Sequence, residues 1–143
     1  MKKLPKFNES RRDTARQLDA GLADLDRAGE LTLIRHDPRI TPAPFGYTVL
    51  CRTREARDGL RDHLEASGIE TRPVICGNLA RQPGLAHRDY RVSRSLAGAD
   101  RVMDCGLYWC THPFMSEDEV RYVVAAVKRY FQPAKEAAAQ QQR

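Results

Sequence analysis

Two strand-like runs separated by one helix of about a dozen residues constrain the fold of this chain more than any other feature. Phe45 to Arg52 (Phe-Gly-Tyr-Thr-Val-Leu-Cys-Arg) is rich in aromatic and β-branched residues, and Ile69 to Ile75 returns as a second extended run. Between them Thr53 is of the type that caps a helix N-terminus, Ala56, Leu60 and Leu64 share one helical face, and Gly68 provides the stop. A strand, a helix with one apolar stripe and a second strand form either a crossover unit or a split arrangement with antiparallel neighbours, and the spacing alone admits both.

The flanking segments supply more helices and strands. Ala15, Leu18, Leu22 and Leu25 recur at intervals of three and four, which predicts an amphipathic helix over Glu9 to Ala28 ended by Gly29. Leu31 to Arg35 reads as a short strand, and Pro38, Pro42 and Pro44 then prevent either element from continuing. Leu96 to Met103 reads as a short helix with Leu96, Ala99, Val102 and Met103 inward, followed by Gly106 and a strand over Leu107 to Cys110. Ser116 and Glu119 match a capping box for a last helix whose stripe is Val120, Val123, Val124, Val127 and Phe131. The expectation is an α/β (α+β) domain: a small mixed sheet of three to four strands covered by helices.

At 143 residues the chain can build one core, so a single α/β domain is expected over residues 1–133, with a frayed Ala/Gln-rich tail at 134–143. No run approaches a membrane span, and the charged start Met-Lys-Lys-Leu-Pro-Lys lacks the apolar stretch of a signal peptide, which points to a cytoplasmic protein. Cys51, Cys76, Cys105 and Cys110 show no C-x-x-C spacing, and three of them lie in apolar, strand-like surroundings, so buried free thiols are expected. Cys110-Thr-His112 puts two metal-ligand types together, but no second pair completes a tetrahedron, and no metal site is expected.

The charge is unevenly placed. From Arg72 to Arg101 six arginines face only Asp89 and Asp100, so this stretch carries +4 of the chain's formal +5. Within it, Arg72-Pro-Val-Ile-Cys-Gly-Asn-Leu-Ala-Arg-Gln-Pro83 begins as a strand, breaks at Gly77-Asn78 where positive φ is cheap, and stops at Pro83. Asn78, Arg81 and Gln82 thus fall on a polar loop at a strand's end, a common place for sites. Guanidinium groups match phosphate or carboxylate oxygens, and amides add neutral hydrogen bonds, so an anionic ligand is one reading. A solvated Arg-rich loop is the other. Nucleic acid is disfavoured because the charge outside this stretch nearly cancels and only Tyr90 lies within it as a stacking group.

Catalytic chemistry is sparse. His36-Asp37 and His112 are the acid/base candidates, though a lone His near a strand end is more often structural, and no nucleophile-elbow, P-loop or zincin motif occurs. The five lysines (Lys2, Lys3, Lys6, Lys128, Lys135) lie in the first six residues or in the last helix and tail, poorly placed for Schiff-base chemistry. No catalytic or cofactor-binding residue is assigned.

A set of segments nevertheless resembles, in order, the small C-terminal domain of the DegT/DnrJ/StrS family of pyridoxal-phosphate-dependent nucleotide-sugar aminotransferases and 3-dehydratases. They are Lys3-Leu-Pro-Lys-Phe with Arg11-Arg12, Phe45-Gly-Tyr, Gly68-Ile-Glu-Thr-Arg-Pro73, Gly77-Asn-Leu-Ala-Arg-Gln-Pro83, Ala99-Asp-Arg-Val-Met-Asp104 and His112-Pro-Phe-Met-Ser-Glu-Asp-Glu-Val120. The resemblance runs to about Phe131, and the Gly-Asn-Leu-x-Arg-Gln-Pro run is most similar to members acting on 4-keto-6-deoxy sugar nucleotides. It implies the fold of the C-terminal domain of fold-type I enzymes. It also implies a nucleotide-diphosphate sugar as ligand, with Arg72, Asn78 and Arg81 on the substrate-facing segment. Pyridoxal phosphate and its anchoring residue belong, by the same resemblance, to a large N-terminal domain, and this chain begins where that domain would end. The expectation is therefore a substrate-side domain of a deoxysugar or polysaccharide pathway enzyme, inactive alone and without bound cofactor, partnered by a separate cofactor domain or a second copy. A stand-alone anion- or nucleic-acid-binding module is the alternative.

Overall fold

The computed structural model describes residues 2–141, with side chains described as far as Gln132. The elements, in chain order, are α1 (Leu4–Arg27), β1 (Leu31–Leu33), β2 (Gly46–Cys51), α2 (Arg54–Ala66), β3 (Thr71–Pro73), two single 3-10 turns (Leu79–Arg81 and Pro83–Leu85), α3 (Ala97–Cys105), β4 (Gly106–Cys110) and α4 (Glu117–Gln141). The frayed tail expected at 134–143 falls where side chains lie outside those described.

The four strands form one sheet in the order β1-β2-β4-β3, and all three pairings are antiparallel. The expected α/β class and strand number therefore hold, while the expected mixture of strand directions does not. The reason is β4, the last strand in sequence, which inserts between β2 and β3. The β2-α2-β3 unit is consequently the split form, its two strands parallel to each other but never hydrogen-bonded to each other.

Register decides which residues share a face. Leu33 opposes Val49, Val49 opposes Leu107, and Tyr47 opposes Trp109, which in turn opposes Thr71, so these side chains lie together and are buried. Against them pack Leu18, Leu22 and Leu25 of α1, Leu60 and Leu64 of α2, and Val120, Val123, Ala126, Val127 and Phe131 of α4. In α1, α2 and α4 the apolar spacings read in the sequence are thus the buried stripes, except that Ala15, Ala56 and Val124 are only half-buried. Each fully buried Leu contributes about 1.5–3 kcal/mol of hydrophobic stabilisation.

The ends of the helices follow local chemistry. Thr53 Oγ1 accepts from the Ala56 amide at 3.2 Å, and Gly68 follows α2 with φ +74°. At α4, Ser116 Oγ accepts from Glu119 N (3.2 Å), while Ser116 N donates to Glu119 Oε2 (2.6 Å), closing the expected capping box. Helix α1 starts at Leu4 rather than Glu9, since Pro5 sits in the first turn, where its missing N–H costs nothing. Helix α3 buries only Cys105, its remaining apolar residues being half-buried or exposed. Cysteine burial also differs from expectation: all four are free, but only Cys51 and Cys105 are buried, because Cys76 sits in the loop and Cys110 at a strand end. Burial, with Cys105 nearby, pushes the Cys51 thiol pKa up to about 12.

Candidate functional site

The second face of the sheet, opposite the core, carries one of the candidate residues. Arg72 on β3 opposes Tyr108 on β4, and Tyr108 opposes Thr48 on β2, so the three share that face. Gly46 makes room for Tyr108, since a Cβ there would meet the Tyr108 ring at 2.5 Å. Phe45, 61% exposed, packs edge-on to Tyr108 with ring centroids 5.9 Å apart. Arg72 is ion-paired with Glu70 on the same strand approach, and both are exposed.

Beyond β3 the chain turns sharply. Positive φ falls on Cys76 (63°) and Gly77 (48°), one residue earlier than the Gly77-Asn78 break expected from sequence. Gly77 must be glycine for a second reason: a Cβ would lie 2.6 Å from Met103 Cγ and 3.0 Å from its Cα, so only a bare backbone can approach α3 this closely. Asn78 is not on the polar surface. It is buried, its Oδ1 accepting from Ala80 N (3.1 Å) to start the first 3-10 turn while its Nδ2 donates to Asp100 Oδ1 (2.7 Å). Arg81 reaches the same carboxylate at two points, Nε to Oδ1 at 3.1 Å and Nη2 to Oδ2 at 3.2 Å. Gln82 Nε2 donates to Cys76 O (2.9 Å) and Tyr90 Oη to Ala80 O (3.0 Å), tying the loop to itself.

The electrostatics follow from these contacts. Arg81 first, then Asn78, holds the Asp100 carboxyl below the usual carboxylate range, and Asp100 in turn raises the Arg81 guanidinium. Arg101 donates to Thr32 Oγ1 at 3.3 Å. Among the described residues, Arg88, Arg91, Arg94 and Arg101 have no ion-pair partner, so they carry the excess positive charge around the loop.

Of the three residues expected from sequence, the structure brings Asn78 and Arg81 together on Asp100 and sets Arg72 apart on the open face. The reasoning from sequence missed Asp100 as a clasp, having counted it only as a charge, and missed Phe45 and Tyr108 as aromatic neighbours of Arg72. The alternation of strand β4 was the available signal for Tyr108, since it places Leu107 and Trp109 inward.

The other candidates are separate. His112 is exposed and its Nδ1 accepts from Phe114 N at 3.1 Å, while Asp37 is bound to Arg39 rather than poised against His36. Among the described residues no group of three or more His, Cys, Asp or Glu is arranged to hold a metal ion, and no helix is long and apolar enough to cross a membrane.

Residues 1–128 match the family model described as the DegT/DnrJ/EryC1/StrS aminotransferase family. The chain belongs to that family. It is 28% identical over 132 residues to dTDP-4-dehydro-2,6-dideoxy-D-glucose 3-dehydratase of Saccharopolyspora spinosa, covering 91% of this chain and 28% of the relative. It is 27% identical to the lipopolysaccharide biosynthesis protein RfbH of Salmonella typhimurium, covering 92% of this chain and 30% of that one. Among solved structures, E. coli GDP-4-keto-6-deoxy-D-mannose-3-dehydratase with bound hydrated PLP superimposes with a TM-score of 0.74 at 26% identity, over 88% of this chain and 32% of that one. An aminotransferase from Psychrobacter cryohalolentis shares the fold with a TM-score of 0.80 at 18% identity, over 92% of this chain and 36% of the other. The chain thus spans less than a third of the length of the curated relatives it matches.

Among the described residues, no lysine lies on the strands or in the loop that carry the candidate residues. The chemistry of pyridoxal phosphate needs an amine or a comparable group at its carbonyl. Lys2, Lys3 and Lys6 sit exposed at the start of α1, and Lys128 is ion-paired with Asp24 at 3.1 Å on the far side of the core.

Proposed function

We propose that this chain is the substrate-side C-terminal domain of a sugar-nucleotide aminotransferase or 3-dehydratase, and that its open sheet face with the clasped loop receives a nucleoside-diphosphate 4-keto-6-deoxy sugar. The observation that carries the reading is Arg72 standing opposite half-buried Tyr108, on which exposed Phe45 packs, in a chain of this family. An aromatic face stacks on a sugar or base ring, and a guanidinium takes diphosphate oxygens in two-point contact. Arg81, fixed by Asp100 but still 57% exposed along its side chain, adds a second cation whose position does not have to be organised on binding. Asn78 acts by holding the loop rather than by touching ligand.

Pyridoxal phosphate, when bound, supplies the electron sink of this chemistry. In this reading it is held by a separate cofactor-binding domain or by a homodimer partner, and no step through it is assigned to residues of this chain. The isolated chain therefore has no transaminase or dehydratase turnover of its own. Deoxysugar or surface-polysaccharide biosynthesis is the setting that agrees with the relatives' names, and this reading places it in the cytoplasm.

The test is an NMR titration with a nucleoside-diphosphate hexose and, separately, with a short single-stranded oligonucleotide. Part of a site makes part of the contacts at the full cost of immobilising the ligand, so a Kd on the order of 0.1–10 mM is expected for the sugar nucleotide. Its shifts should concentrate at Phe45, Arg72, Tyr108 and the 77–101 segment. Tighter oligonucleotide binding that collapses with salt would transfer the loop to a nucleic-acid function.

A further inference from the structure

A second cleft lies at the opposite edge of the sheet, and nothing in the reading above uses it. Strand β1 ends at Leu33, opposite Val49, so no strand covers the outer edge of Gly46–Thr48. The chain instead runs past that edge as the Pro38, Pro42 and Pro44 segment, which cannot supply a continuous row of backbone donors. Between this segment and α1 remains a cleft of about 420 Å³. That is within the size range of small-molecule sites.

Its walls are of two kinds. Ile34, Ile40, Pro42 and Pro44 form a mainly apolar side, interrupted by His36 and Thr41, and Ile34 and Ile40 are 40% and 59% exposed, a large apolar area for a surface to leave in water. The α1 side is polar and ordered along the helix. Arg12 stands at one end and, among the described residues, takes part in no hydrogen bond or ion pair, whereas its neighbour Arg16 is already paired with Asp13. Asp19 stands two turns further along and accepts the buried Tyr47 hydroxyl at 2.7 Å, leaving its second carboxylate oxygen as an acceptor. Burial and Asp19 together raise the Tyr47 pKa, so this hydroxyl stays neutral and its hydrogen bond persists.

We infer that this cleft is a ligand site for a small amphipathic anion: an apolar or aromatic body, an anionic group taken by Arg12, and a hydroxyl or amine donor at the other end taken by Asp19. The polarity is set by charge, because an anion placed at the Asp19 end would be repelled. The length is set by the helix, since seven residues span roughly 10 Å. A para-substituted ring with a hydrogen bond at each end matches that span. The apolar wall selects against fully hydrated ligands such as free sugars. The site is independent of the loop after β3, which lies across the sheet at roughly three strand spacings, about 14 Å.

Titration of the 15N-labelled chain with 4-hydroxybenzoate and with 4-hydroxyphenyl phosphate tests the site and distinguishes the two head groups, with inorganic phosphate and phenol as single-ended controls. Saturable shifts at Ala15, Asp19, Ile34 and Tyr47 are expected from one or both two-ended probes at concentrations where each control gives none. Arg12→Gln should weaken the binding about tenfold or more, as for loss of a charge-assisted contact. Asp19→Asn keeps an acceptor for Tyr47 but loses the charge, and should weaken the two-ended probes severalfold while leaving the core amides in place. Absence of saturable shifts, equal binding by inorganic phosphate, indifference to both substitutions, or shifts confined to residues 72–101 would each overturn the assignment.

Discussion

Arg81 and Asp100, nineteen residues apart, meet in a two-point guanidinium–carboxylate pair with N–O distances of 3.1 and 3.2 Å, and buried Asn78 shares the same carboxylate. One acid at the start of α3 thereby holds a loop that has almost no apolar burial of its own. Asp100→Asn should leave the core intact while raising amide exchange at Leu79, Ala80 and Arg81. Unchanged exchange there would show that the loop is held by something else.

The same clasp sets a pH dependence. The Asp100 pKa is depressed in the folded chain by Arg81 and then Asn78, so its contribution is complete above the unfolded-state value near ~3.9 and is lost as pH falls through the lower folded-state value. The loop should stay closed at neutral pH and release only below about pH 4. Amide spectra of Asn78 to Gln82 followed down in pH check this, and release above about pH 5 would contradict it.

Where α1 crosses α4, Gly21 faces Val124 so closely that a Cβ would sit 2.7 Å from Val124 Cγ2. Gly21→Ala should therefore destabilise by about 1–3 kcal/mol through overpacking, despite the better helix propensity of alanine. Adding Val124→Ala should restore much of the loss, a non-additivity that a double-mutant cycle by denaturant unfolding would read.

Leu64 is fully buried among the sheet-facing residues, so Leu64→Ala should cost about 2–5 kcal/mol. Val124→Ala alone should cost less, since its side chain is only half-buried. Equal effects at the two positions would misplace the α4 stripe.

Ligand binding should separate placed from solvated arginines. Arg81→Ala is expected to weaken sugar-nucleotide binding about tenfold or more, whereas Arg129→Ala, exposed on α4, should change it little. Similar losses for both would reduce the effect to net charge.

Much of the fold was legible because it rests on local, periodic signals. Leu18, Leu22, Leu60, Leu64 and Val127 announce their faces by spacing alone, and Thr53, Gly68, Ser116 and Glu119 mark helix ends by hydrogen bonds spanning at most a few residues. The family resemblance was legible in the same way, as short runs in a fixed order. The candidate site was legible only as a place. Arg72, Asn78 and Arg81 were read as one polar group, yet Asn78 is buried and Arg72 lies on another surface.

What the sequence by itself determined is the main helices and strands, the buried stripes of α1, α2 and α4, and the location of the excess positive charge, all of which depend on residues near one another in the chain. Only the tertiary structure decided that β4 enters between β2 and β3, because strand pairing is chosen by which faces can be buried together across the whole chain. That choice puts Tyr108 beside Arg72 and brings α3 near enough for Asp100 to bind Arg81. The early end of β1 at Leu33 leaves the outer edge of β2 open beside Arg12 and Asp19. Contacts between residues tens of positions apart have no periodic signature, and they are what turned a charged stretch into a defined surface.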